Sequence, residues 1–88
     1  MAKVPNPVLR AAVMEVVHNQ LRDGTPPETC VTLDRLLAAG HTREGAEELI
    51  ACVVVSEIFD VLKHGQPYNE DRYVSALQRL PKLPWEEA

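Results

Sequence analysis

Apolar residues recur along this chain at the three-and-four spacing of helices and not at the every-second spacing of half-buried strands. Leu9, Val13, Val16 and Val17 share one face of the first such segment, Cys30, Leu33, Leu36 and Leu37 one face of the second, and Tyr73, Ala76, Leu77 and Leu80 one face of the last. Turn and cap residues bracket each segment. Asn6-Pro7 offers an N-cap followed by a proline at the first helical position, and Asp23-Gly24 closes the segment, which predicts a helix over about residues 7–22. Thr25-Pro26-Pro27-Glu28 has the form of a capping box that opens a second helix, ended by Gly40. Thr42 caps a third helix over about 43–64, with Glu44, Glu47 and Glu48 at its positive end and Lys63, His64 and Gly65 at its negative end. After a loop holding Pro67 and Tyr68, Asn69-Glu70-Asp71 opens a fourth helix that Pro81 halts near Leu80. The expected fold is all-α: one four-helix domain over residues 1–88, with short connections and an irregular C-terminal tail. In that tail Leu83 and Trp85 are expected to fold back onto the bundle.

The third segment carries the most information. Ala51-Cys52-Val53-Val54-Val55 is rich in β-formers and would suit a buried strand, but about twenty-two residues between a capped start and a glycine stop are too many for one strand. Read as a helix, its first half is apolar at Ala46, Leu49, Ile50 and Val53, and its second half at Ala51, Val55, Ile58, Phe59 and Leu62. At 100° per residue the second stripe lies roughly 170° around from the first, with Ser56, Glu57, Asp60 and Lys63 forming a polar arc beside it. A helix apolar on so many sides needs more cover than three short companions supply. The expected cover is a protein partner, most simply a second copy in a two-fold homodimer meeting across Val55, Ile58, Phe59 and Leu62. Chain length points the same way, because a core built from 88 residues is thin and small scaffolds often need a partner, a metal or disulfides.

Composition narrows the alternatives. The two cysteines, Cys30 and Cys52, lie inside apolar helical segments with no secretory leader ahead of them, so reduced thiols and a cytoplasmic location are expected. The longest uncharged run, Leu49 to Ser56, is far below the roughly 20 residues that span a bilayer, so no membrane segment is expected. The formal net charge is −4, and the second half, residues 41–88, holds nine acidic against five basic side chains. Arg and Lys are scattered singly among carboxylates, which argues against nucleic acid as a partner. Helices two and three around Gly40-His41-Thr42 have the outline of a helix-turn-helix, but the reading helix would present Glu44, Glu47 and Glu48 to phosphates, with Arg43 alone in favour.

Candidate chemistry is sparse. His18, His41 and His64 stand 23 residues apart, yet their surroundings do not repeat and none belongs to a close ligand pair of the kind zinc sites use. Cys52 has only apolar neighbours, as a buried cysteine acting as a small hydrophobe would. Glu44 and Glu48, four apart at a helix start, serve the dipole, and Glu57 and Asp60 fall on the polar arc. There is no glycine-rich phosphate loop and no nucleophile elbow. No catalytic, cofactor-binding or metal-ligating residue is therefore expected. The expected function is that of a noncatalytic interaction or accessory module that self-associates.

Asn6-Pro7-x-Leu9 leading to Gln20-Leu21, Pro26-Pro27-Glu28, Arg35-Leu36, Gly40-x-x-Arg43, Ile58-Phe59-Asp60 and Tyr73 to Leu77 together resemble a bacterial family of small helical proteins catalogued as a domain of unknown function. The resemblance spans most of residues 6–80, largely through caps and core positions. It implies a His-x-x-x-His pair in the first helix and another at the start of the third, and with them a metal or polar site between the two helices. This chain departs there, with Arg10 and Met14 at the first pair of positions and Glu44 and Glu48 at the second. The four-histidine site is not carried over, and an Arg10 contact with Glu44 or Glu48 is expected in its place. The rival function is thus that of a degenerate member of a metal- or small-ligand-binding helical family. Ala39-Gly40-His41-Thr42-Arg43-Glu44 is also similar to the turn of ubiquitin-associated three-helix domains, although the third helix here is about twice too long.

Overall fold

The computed structural model describes residues 7–65 and 67–86, arranged as four α-helices and a terminal 3-10 turn: α1 (Pro7–Asp23), α2 (Pro27–Ala38), α3 (Arg43–His64), α4 (Glu70–Arg79) and η1 (Pro84–Glu86). The chain is all-α, as the periodicity predicts. The expected cap at Asn6 and the tail residues Glu87 and Ala88 lie outside the described residues.

Local chemistry accounts for most of the boundaries. Gly24, in the left-handed region, returns its amide to the Gln20 carbonyl at 2.8 Å and ends α1. Thr42 Oγ1 accepts from the Gly45 amide at 3.0 Å to start α3, and Gly65 ends it with its amide on the Val61 carbonyl at 2.9 Å. Asn69 Oδ1 accepts from the Arg72 amide at 2.9 Å to start α4. The start of α2 differs from expectation. Pro26 occupies the N-cap position with no side-chain cap, Pro27 is the first helical residue, and Thr25 stands one residue too early to act. Its hydroxyl donates instead to the Asp23 carbonyl at 3.5 Å, so no capping box forms.

α3 is the axis of the molecule and packs against α1, α2, α4 and η1 in turn. Its residues Ile50 to Val54 are five consecutive buried positions, so the helix is enclosed on every side for more than a turn. The enclosure is built from Val13 and Val17 of α1, Leu33 and Leu36 of α2, Tyr73 and Leu77 of α4, and Leu80 and Leu83 beyond it. Three short helices and the tail therefore cover the middle of α3 completely, which the apolar pattern alone did not lead us to expect. The Cα radius of gyration, 12.3 Å, matches the roughly 12 Å of a closed chain this long. Leu83 folds back into the core as expected, whereas Trp85 is half exposed at 49%.

Two polar contacts fix the angles between helices. Arg35 on α2 donates from Nη1 to the Leu80 carbonyl at 2.7 Å, and from Nη2 to the carbonyls of Leu77 at 2.9 Å and Gln78 at 3.5 Å. A planar cation thereby occupies the negative end of α4. Within the core, Gln20 Oε1 accepts from the hydroxyls of Thr29 at 2.9 Å and Tyr73 at 2.8 Å, which ties α1, α2 and α4 together.

Candidate functional site

Ion pairs join α1 to the start of α3. Arg10 on α1 pairs with Glu48 on α3, as expected, and the Glu48 hydrogen bond, reinforced by the charges of Glu48 and Glu44, raises the guanidinium pKa. The neighbouring carboxylate, Glu47, takes His18 Nε2 at 3.0 Å and Arg43 Nε at 3.0 Å. Burial pushes the Glu47 carboxyl up, but these two hydrogen bonds outweigh it and hold it below the usual carboxylate range. His41 lies in the α2–α3 turn and His64 ends α3, so the three histidines do not converge. Among the described residues no three His, Cys, Asp or Glu side chains gather as a metal site would require.

Neither cysteine is in a disulfide. Cys30 Sγ donates to the Leu21 carbonyl at 3.6 Å. Cys52 is buried, and burial together with Glu48 raises its pKa, which keeps it as the unreactive thiol.

Glu57 corrects the expected polar arc. It is 7% exposed and lies against the start of α4. Its carboxylate accepts from Arg72 Nε at 2.9 Å, from Arg72 Nη2 at 2.6 Å and from the Asn69 amide at 3.1 Å. Asp60, 3.8 Å from Arg72 Nε, adds to the pair. The Arg72 hydrogen bond lowers the Glu57 pKa despite partial burial, and the Asn69 amide lowers it further. A bidentate fork and a backbone donor thus lock the loop before α4 onto α3. The sequence carried a weak signal for this, a single carboxylate one turn from two apolar stripes, but its partner fifteen residues away could not be foreseen without the docking of α4.

That lock builds one wall of an apolar cleft. Val16 and Gln20 of α1, Val54 and Ile58 of α3, Tyr68 of the loop and Tyr73 of α4 line an opening of about 200 Å³. A second opening of about 200 Å³ continues along Val61 and Leu62, sharing Ile58 and Tyr68 with the first. Beside these openings the expected interface residues stand as a group. Val55 is half-buried against the core, while Ile58 is 38%, Phe59 59% and Leu62 74% exposed. Val16, expected to share the buried face of α1, is instead an exposed lip of the cleft.

On the other side of Glu57 lies a wider, mixed cleft of about 600 Å³, where Ser56, Asp60, Asp71, Arg79 and Trp85 meet. Its lining carries both signs, Asp60 and Asp71 with Arg72 and Arg79, so it presents no single-sign field to a ligand. No helix among the described residues is long and apolar enough to cross a membrane.

Comparison of the chain with protein-family models, with curated proteins and with solved structures finds no match. The functional reading therefore rests on the geometry of this chain.

Proposed function

We propose that this chain is a noncatalytic protein–protein interaction module that associates with a second copy of itself through Val55, Ile58, Phe59 and Leu62. The observation that carries the reading is the change of cover along α3. Five consecutive residues from Ile50 are buried, and within two turns Ile58, Phe59 and Leu62 stand in solvent. With Val16 and Tyr68 they leave on the order of 500 Å² of contiguous apolar surface, near the upper end of what a monomer carries without using it. A two-fold pairing that covers this patch on both copies removes on the order of 1,000 Å², which reaches the threshold for specific association. Two thiols outside any disulfide, one of them buried, fit a reducing cytoplasmic setting.

Sedimentation velocity across a concentration series tests this. A monomer–dimer equilibrium is expected, with Phe59→Asp monomeric and equally helical by circular dichroism. Wild-type protein that stays monomeric up to about 500 μM, a concentration at which even weak pairs form, overturns the proposal.

A further inference from the structure

The apolar face contains both a projection and a recess, and the two do not meet within one chain. Phe59 projects from α3 and lines neither opening of the cleft. Around the helix axis Val55, Ile58 and Leu62 form a seam, with Phe59 flanking it on one side and Val54 and Val61 on the other, where the cleft opens. Those are the positions of a short parallel coiled-coil seam, in which a residue on one flank of a helix meets the opposite flank of its neighbour. Resting on the self-association proposed above, we infer that the pairing is reciprocal: the Phe59 ring of each copy seats in the partner's cleft beneath Tyr68, with the two α3 helices side by side and pointing the same way.

Charge supports a second copy as the occupant. Glu57 lines both openings together with Tyr68, and the charges of Glu70, Glu57 and Glu28 all act on the Tyr68 phenol. Glu57 is already engaged by Arg72, but Glu28 Oε1 is buried with no hydrogen-bond partner among the described residues. An occupant that brings a cation beside an aromatic ring therefore fits the rim. On α3, Lys63 stands one turn beyond Phe59, exposed and in no ion pair among the described residues. Phe59 and Lys63 of one copy thus match the apolar floor and acidic rim of the other.

Paired variants test the reciprocity. Phe59→Ala removes the projection and leaves the cleft open, whereas Val16→Trp fills the cleft and leaves the projection. Each alone is expected to weaken self-association at least about 30-fold, since each loses both copies of a central aromatic contact. Mixed together, they retain one projection and one open cleft. The mixture is expected to form a heterodimer at least about 5-fold tighter than either variant's homodimer, read by native mass spectrometry with one partner isotopically labelled. Should Val16→Trp fail to match wild-type helicity, Tyr68→Ala, which removes a cleft wall, takes its place. A mixture no tighter than its components, with wild type dimeric, overturns the reciprocal seating while leaving self-association intact. A monomeric wild type overturns both.

Discussion

The two halves of α3 are made of similar residues and meet opposite fates. From Ala46 to Val54 the helix is sheathed by α1, α2, α4 and Leu83, whereas from Ile58 to Leu62 equally apolar side chains face solvent. Apolar content does not decide which half is covered; the reach of the neighbours does. α2 has 12 residues and α4 has 10, and both meet α3 where it crosses the middle of the domain. The last two turns run past that point, supported by the Glu57 lock and flanked by the Tyr68 loop. In a chain this short, a helix of 22 residues outgrows its companions, and the excess is available for association.

Truncation on either side should separate the halves most widely. Ile50→Ala removes a fully buried side chain, with an expected loss of about 3 kcal/mol in urea unfolding. Leu62→Ala at low micromolar concentration should move stability by no more than about 0.5 kcal/mol. Comparable losses at both positions would mean that the second half is packed after all.

The junction between the halves comes next. Glu57→Ala strips the Arg72 fork and the Asn69 amide of their acceptor, with an expected cost of about 2 kcal/mol. The same carboxyl gives an acid signature. Its folded pKa lies below its usual 4.5, so the unfolded chain takes up the proton first as pH falls. The stabilisation is complete above pH 4.5 and is lost as pH falls through the folded value. Glu47 contributes with the same sign. Urea midpoints between pH 7 and 3 should therefore fall less steeply in Glu57→Gln than in wild type, with Glu47 supplying the remaining slope. Parallel curves would remove Glu57 from the account.

Arg35→Ala should cost about 1 kcal/mol and fray α4, because three carbonyls at its C-terminal end lose their donor. Amide exchange at the α4 amides that bond back along that last turn reads it directly. Arg35→Lys should recover only part, since a point charge cannot span three acceptors.

The helices were legible because their signals are local. Thr42, Gly65 and Asn69 act within four residues of themselves, and α3 occupies the residues its caps bracket. The one contact between helices that was legible, Arg10 with Glu48, came from the resemblance, which set those positions of the first and third helices against each other. Arg10 and Glu48 both lie in the early turns of their helices, on the α1–α3 boundary. Glu57 with Arg72, and Arg35 with the end of α4, depend on crossing angles that no spacing in the chain encodes. Thr25 shows a local signal overridden, since two successive prolines move the helix start past it. The apolar face was legible residue by residue at Ile58, Phe59 and Leu62, but its recess was not, because Val16 reads as core until the tilt of α1 is known.

A further effect is expected at the floor of that recess, where the sheathed and open regions touch. Tyr73→Phe removes one of the two hydroxyls that Gln20 Oε1 accepts and leaves Thr29 as its partner, so a loss of roughly 1 kcal/mol is expected at neutral pH. The alkaline limb is more discriminating. Burial pushes the Tyr73 phenol from its usual 10.0 up to about 12, so the folded state holds its proton while the unfolded chain releases it. That contribution is complete below pH 10 and is lost as pH rises through about 12. Wild-type stability should therefore drop across this window, and Tyr73→Phe should drop less. Tyr68 is also raised, first by burial and then by Glu70, Glu57 and Glu28, but it is half exposed at the mouth of the cleft. A second copy closing over it would remove it from solvent. Its titration, followed by phenolate absorbance in a Tyr73→Phe background, should move upward with protein concentration if the open half of α3 is where copies meet, and should stay fixed if it is not.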